Sequence, residues 1–494
     1  MSHLRNSTLI IIFLSLQLIS CKAVLLPFSP PTAMPIHSPT TAPTLTPIVG
    51  QAEYGIGDPY FPGVGNPGYD ARNYVISLDV DPESGQIIGK TTLEATATAD
   101  LSTFNLDFLG LEIDHIKVND SPATYSRDGR ELIITPAEPL RANDNFVVEV
   151  AYHGVPQPEL VPALQLEMGW ERGTSKAINV LSEPDGAESW YPVNDHPLDK
   201  ATYRFEITVP QPWVVAATGN LLGTVSEGNK VRYIWEMDKP MASYLASVDI
   251  DHYVMQESMG PDNIMIRNYI PQNVDPMLTS NLDRLPEMIA YFSDLFGPYP
   301  FDEYGVLIAD ETIAPCLDGS LSLEAQSLSI HCPSEYMLSE PVLAHELAHQ
   351  WFGDSVSLKR WQDIWLKEGF ATYAQWLWET RGQGVQAVTV LADEQKKFSG
   401  QDAKIGQPPV NGLYDWESYV GGALVIHALR LKVGDEAFFN ILRTYLERYR
   451  YGNAGTEEFI AVAEEVSGQE LASFFDSWLM QTTLPDWPTP PATP

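Results

Sequence analysis

Hydrophobic and polar positions divide the chain into two regimes. From Tyr69 to about Val254 the sequence alternates, as in Tyr74-Val75-Ile76-Ser77-Leu78-Asp79-Val80, Phe146–Tyr152, Tyr203–Val209 and Val231–Trp235. Side chains that change sides at every residue suit strands with one buried face, and the Gly, Pro, Asn and Asp between the runs mark turns. Residues 69–254 are therefore expected to form an all-β domain. After residue 255 the period lengthens. Asn281–Phe296 repeats its apolar positions at steps of three and four and stops at Gly297-Pro298, which predicts an amphipathic helix. Asp363–Thr380, Trp416–Lys432, Asp435–Arg450 and Thr456–Val466 (with Thr456 as N-cap) read the same way, and Val306–Ile330 reads as strands around a loop. Residues 255–485 are expected to be mostly helical. The whole is a multidomain β plus α protein.

The two ends follow neither pattern. Arg5 precedes Leu9–Ile19, an apolar run too short to span a bilayer comfortably as a mature helix, so residues 1–21 read as a signal segment. The run closes as Leu18-Ile19-Ser20-Cys21, which resembles the lipobox of bacterial lipoproteins. That resemblance implies lipidation of Cys21, a membrane partner through the lipid anchor, and an extracytoplasmic, cell-membrane location. A plain signal peptide cut near the same place is the alternative. Residues 22–68, rich in Pro and Thr and then Gly and Pro, read as a semi-rigid tether, with His37 incidental. Residues 486–494 form a Pro-rich tail.

Composition narrows the class. A chain of 494 residues with 44% hydrophobic positions, 12 Trp, 22 Tyr and 18 Phe has enough apolar material for two or three packed domains. A formal net charge of −36 argues against nucleic acid and anionic membrane surfaces as partners. Of the three cysteines, Cys21 belongs to the leader. Cys316 and Cys332 are then either a disulfide of an exported chain or two buried thiols.

The chemistry concentrates in His345–Glu368, HELAHQWFGDSVSLKRWQDIWLKE. On a helix, His345 and His349 lie one turn apart on one face, where two imidazoles grip one metal ion and Glu346 reaches a water beside it. Ser339 is placed to cap that helix, Pro341 to lie in its first turn and Gly353 to follow its last. A catalytic zinc takes three protein ligands, and Glu368 is the third candidate. The spacing turns it inward beside Leu366 and Phe370, where a bare carboxylate is costly without a cation.

HELAHQWFGD followed by WLKEGFATY resembles the gluzincin zinc aminopeptidases, the group that includes aminopeptidase N and leukotriene hydrolase. The resemblance covers about residues 69–485. It implies a β-saddle domain followed by a thermolysin-like catalytic domain, one Zn2+ per chain, and peptide substrates with a free N-terminus. It also implies a short form lacking the long helical domain that follows in many relatives. Met241–Val248 resembles the closing strand of the family's first domain.

Three further residues take roles by the same resemblance. Glu183 matches the Gln or Glu that helps bind the substrate's amino group, nine residues before Pro192. Glu324, in Leu321-Ser322-Leu323-Glu324-Ala325-Gln326, matches the Glu of the G-x-M-E-N motif, although Gly, Met and Asn are replaced by Leu321, Leu323 and Ala325. Tyr419 matches the tyrosine that hydrogen-bonds the oxyanion, with Gly421 where the family usually has Lys. His331 reads as a structural or exposed residue, and His427 as a satisfied core residue. A zinc endopeptidase of the same clan, or a non-catalytic surface peptide-binding lipoprotein, are the rival functions.

Overall fold

The computed structural model describes residues 54–317, 319, 321–398 and 403–489. The expected leader with Cys21, the segment 22–53 and residues 490–494 lie outside these.

The alternating runs are strands. Tyr69–Asp81 buries Tyr74, Ile76, Leu78 and Val80 on one face and sits inside an eight-stranded sheet. Across that sheet the order is Asn220–Glu227, Lys230–Met241, Ala201–Pro210, Tyr69–Asp81, Gln86–Ala97, Asn145–Gly154, Glu112–Val118 and Ser121–Pro122. Tyr69–Asp81 pairs parallel with Ala201–Pro210, closing more than a hundred residues of intervening chain, whereas it pairs antiparallel with Gln86–Ala97. Aromatic rings fill the space behind the sheet. Tyr74 stacks on Tyr203 at 5.1 Å, and Trp190 lies 4.4 Å from Tyr191. A five-stranded sheet (Val214–Ala217, Val248–Asp251, Ile178–Leu181, Leu166–Arg172, Glu159–Val161) and a three-stranded one complete the β domain.

The strand Tyr253–Met259 crosses the expected division at 254/255. It pairs with Met265–Pro271 and opens the second region's sheet, which continues through Val306–Ile308 and Ser329–His331 to the edge strand Ser322–Leu323. Among the described residues this region carries eight α-helices: α1 (Leu285–Phe296), α2 (Glu340–His349), α3 (Trp365–Glu379), α4 (Val385–Lys396), α5 (Gly422–Val433), α6 (Asp435–Arg448), α7 (Thr456–Ser467) and α8 (Ala472–Leu479). In α1 the buried positions Leu285, Met288, Ile289, Phe292 and Phe296 form the stripe that the periodicity predicted. The β-rich domain followed by a helical one is the expected fold class.

Several local expectations need correction. Residues 54–68 do not continue a tether. Asp58 is buried, where it accepts hydrogen bonds from the Tyr60 and Trp361 backbone N–H groups at 2.7 and 2.8 Å and contacts His196 Nε2 at 3.2 Å. The start of the Pro-rich tail packs too, because Trp487 donates to Asp393 at 2.6 Å and its ring meets Trp478. Gly455, not Thr456, holds the N-cap position of α7. The Thr456 hydroxyl instead donates to Asp363 at 2.7 Å. Helix α4 went unexpected, since its fully buried stripe is only Val388 and Ala392.

Candidate metal centre and active site

Helix α2 presents the first two candidate ligands. Ser339 occupies its cap position with extended backbone but without a side-chain capping bond, and Pro341 lies in the first turn, where a missing N–H costs nothing. One turn of helix brings His345 Nε2 and His349 Nε2 to 3.1 Å apart. The His349 Nδ1–H donates to the Phe352 carbonyl at 3.0 Å, which leaves the Nε2 lone pair free toward the site. Gln350, next in sequence, accepts from the Ser327 N–H at 2.7 Å and donates toward the Glu324 carbonyl, pinning the loop after the edge strand to the end of α2.

Helix α3 supplies the third. It begins at Trp365, after a 3₁₀ turn at Trp361–Asp363, so Glu368 falls in its first turn. Glu368 Oε2 lies 3.3 Å from His345 Nε2 and 3.5 Å from His349 Nε2. Tetrahedral zinc with bonds of about 2.0–2.1 Å requires donor atoms roughly 3.3–3.4 Å apart. Two imidazole nitrogens and one carboxylate oxygen at these separations fit that ion. Electrostatics agree. Burial alone would lower His349, yet the Glu324 and Glu368 carboxylates outweigh it and push it up to about 10, so the pocket draws positive charge to this point.

Glu346 is buried beside the triad and lines the same cavity. Burial pushes its carboxyl up to about 8, with the neighbouring Glu324 and Glu368 charges adding to the effect. Tyr419 stacks over His345 with ring centres 5.9 Å apart. It sits on a π-type turn, Glu417–Gly421, that leads into α5, rather than inside one helix starting at Trp416. Burial and the Glu368 charge raise its phenol well above the usual range, so it stays an O–H donor.

Glu183 and Glu324 converge on the triad from other segments. The stretch 183–197 is rich in turn residues yet buried along its whole length, and it carries Glu183 in from the strand Ile178–Leu181. Tyr414 donates to Glu183 at 3.2 Å, and Lys200 anchors the end of the stretch on the Asp354 carbonyl at 2.7 Å. Glu324 follows the edge strand Ser322–Leu323.

Between the two carboxylates lies Lys367, which the motif spacing does not single out. Its Nζ is 2.5 Å from Glu183, touches Glu324 and is 2.9 Å from Glu368. Burial works against ionising either acid. For Glu324 the Lys367 charge overcomes it and lowers the carboxyl. Glu183, with Glu324's charge added, is pushed up to about 8. One lysine is shared among three acids, since its charge also lowers the Glu368 carboxyl. The signal in the sequence was a lone Lys within an apolar helical run.

The remaining predicted residues have other partners. Cys316 and Cys332 are joined by a disulfide whose Cα atoms are 5.2 Å apart. His331 is buried and bonded to Met337 and Ser329, and His427 to Tyr373 and Thr389. A small cavity of about 80 Å³ between Glu183, Met168 and Tyr414 opens at the triad, and a wider cleft of about 470 Å³ runs past Tyr419, Trp376 and Val342.

A helix-borne pair of histidines, an inward carboxylate from the next helix and a β domain reaching into the same cavity define a two-domain zinc metallopeptidase. Comparison with known sequences agrees. The peptidase M1 N-terminal domain matches residues 70–245 and the peptidase family M1 domain matches residues 281–478, and between them they span most of the chain. The chain belongs to the peptidase M1 family, and its resident metal is Zn2+.

The solved M1 zinc metallopeptidase of Deinococcus radiodurans is 29% identical, with a TM-score of 0.81 over 89% of this chain and 100% of its own. A mutant of that protein was crystallised with a Tyr-Ser-Ala substrate. Aminopeptidase M1-A of Oryza sativa subsp. japonica is 25% identical over 85% of this chain and 51% of its own length. Leucyl aminopeptidase of Saccharolobus solfataricus is 26% identical over 84% and 54%. The chain spans about half the length of the curated relatives it matches.

Proposed function

We propose that this protein is a zinc aminopeptidase, hydrolysing the first peptide bond of peptides with a free N-terminus. The convergence of Glu183 and Glu324 on one spot beside the His345, His349 and Glu368 triad carries this reading. Those three side chains would hold Zn2+, which would supply Lewis-acid polarisation of the scissile carbonyl and a lowered pKa for a water. The Glu346 carboxylate takes the proton of the attacking water and passes it to the leaving nitrogen. The Tyr419 O–H donates to the oxygen on which negative charge develops. Glu183 and Glu324 accept hydrogen bonds from the substrate ammonium, which holds the first residue at the small cavity and the rest of the peptide along the wider cleft.

An endopeptidase needs no pair of buried acids at the cavity's closed end, so their convergence disfavours that rival. A non-catalytic binding module needs no Glu346. The test compares a peptide with its N-acetylated twin on the zinc-loaded protein. Cleavage of the free form at least tenfold faster, lost in Glu346→Gln with zinc retained, is the expected result. Preference for the acetylated form would discard the reading.

We also propose that Cys21 carries a lipid anchor holding the enzyme to the outer side of the cell membrane. The run Leu18-Ile19-Ser20-Cys21 supports it. Mass spectrometry of the mature N-terminus is the check. An unmodified N-terminus at another residue would refute the anchor.

A further inference from the structure

The carboxylates assigned to the substrate's amine already hold an ammonium. Oxygens of Glu183, Glu324 and Glu368 lie within 4.8 Å of one another, and the Lys367 Nζ contacts all three. The three acids come from separate places: a loop of the β domain, the end of the edge strand and the first turn of α3. Lys367 has no exposed side-chain surface, and the Tyr244 ring lies beside its Nζ at 5.5 Å. An ammonium has three N–H donors, and here three acceptors surround it. A peptide's terminal ammonium is the same chemical group and would claim the same oxygens.

We propose that Lys367 is a resident counter-ion of the amine subsite, and that it sets how strongly a free N-terminus is selected. The substrate ammonium engages Glu183 by taking the contact that Lys367 gives up. This rests on the aminopeptidase reading above. The geometry allows the exchange, because Lys367 is the immediate neighbour of Glu368 and its flexible four-carbon stem lets Nζ withdraw toward Glu368 and Glu324 while staying paired. A second positive charge approaching a buried first one meets weakly screened repulsion, so the lysine tempers amine binding. Lys367 is therefore a positioning and specificity residue that acts through the two carboxylates.

The experiment measures binding by calorimetry in the zinc-loaded Glu346→Gln protein, with Leu-Ala-Ala and N-acetyl-Leu-Ala-Ala as probes. Lys367→Met keeps the stem and removes the charge. With zinc content unchanged, it is expected to raise the free-over-acetylated affinity ratio by about tenfold or more. An unchanged or smaller ratio with zinc retained overturns the proposal, since a lysine that only braces the fold would not move it. Should Lys367→Met lose zinc or fail to fold, a crystal structure of the Glu346→Gln protein with Leu-Ala-Ala decides. Departure of Nζ from Glu183 supports the exchange, and retention of both the Glu183 and Glu324 contacts refutes it. Equal binding of the two probes by the protein with Lys367 intact would defeat the aminopeptidase reading itself, and this inference with it.

Discussion

Gly369 and Gly422 pack backbone against backbone where α3 crosses α5. A Cβ on Gly369 would lie 2.7 Å from the Gly422 Cα, and one on Gly422 would lie 2.8 Å from the Gly369 Cα. Gly369 follows Glu368, the proposed third zinc ligand, and Gly422 stands three residues after Tyr419, so this contact bears on the distance between that carboxylate and the phenol. Gly422→Ala is expected to drive the helices apart. Overpacking of this kind costs about 1–3 kcal/mol, so the melting temperature falls, and activity falls more than tenfold because Tyr419 moves. Gly421→Ala is the control. Its Cβ meets the Ile405 and Trp416 side chains rather than backbone, and a smaller loss is expected on both counts.

Tyr419 makes a separate prediction. Burial and the Glu368 charge keep its phenol protonated, so it serves as a donor throughout the working pH range. Tyr419→Phe retains the stacking on His345 and removes only that O–H. A donor to developing charge is typically worth about 10²–10³ in kcat. Steady-state kinetics on an aminoacyl-nitroanilide should show that fall with KM nearly unchanged. A rise in KM with kcat intact would make Tyr419 a binding residue instead.

How much of this was legible in the sequence depends on whether the determinants were local. His345 and His349 were visible because a helix converts a four-residue spacing into a shared face, and one helix is a local object. Alternation exposed the strands for the same reason, since Tyr69–Asp81 buries every second residue over much of its length. Lys367 was not legible. A lysine on a helix is usually solvated, and what buries this one is a set of carboxylates from segments more than forty and one hundred and eighty residues away. Asp58 was hidden likewise, its partners being His196 and the Trp361 backbone. The Pro- and Asp-rich stretch after Glu183 has the composition of a surface turn, yet residues 183–197 are buried throughout.

The disulfide encloses the segment that carries Glu324. Cys316 and Cys332 are separated by 16 positions, and the loop between them contains the edge strand Ser322–Leu323. Closing a loop of that length is worth about 3 kcal/mol through the unfolded chain. Cys316→Ser with Cys332→Ser should lower thermal stability accordingly, while reductant leaves the double variant's melting curve unmoved. Because Glu324 sits within the loop, KM for free-amine peptides should rise more than kcat falls. An unaltered KM would mean that Gln350 alone holds the loop in place.

His427 provides a pH test away from the metal. Arg430 donates to the Tyr373 oxygen, leaving the Tyr373 O–H for His427 Nδ1, and His427 Nε2–H donates to Thr389, whose own hydroxyl donates to the Val385 carbonyl. This chain satisfies the neutral imidazole and has no place for a second proton. Burial, aided by the Arg430 charge and opposed weakly by Asp393 and Asp435, lowers its pKa to about 4. The unfolded chain takes up that proton near pH 6.5, whereas the folded protein refuses it until about pH 4. Between those values the unfolded state binds more protons, so this residue's contribution to stability is whole above pH 6.5 and is lost as pH falls toward 4. Buried acids such as Asp249, pushed up to about 7 by burial, act in the opposite sense, so the whole-protein curve does not isolate the histidine. The difference between the parent and His427→Gln does. At pH 8 the variant should be less stable by about 1–3 kcal/mol from its broken hydrogen bonds. Chemical denaturation at successive pH values should then show that gap shrinking by up to about 3 kcal/mol as pH falls from 7 to 4.5. A gap independent of pH would mean that the imidazole takes up its proton equally readily in the folded and unfolded chain.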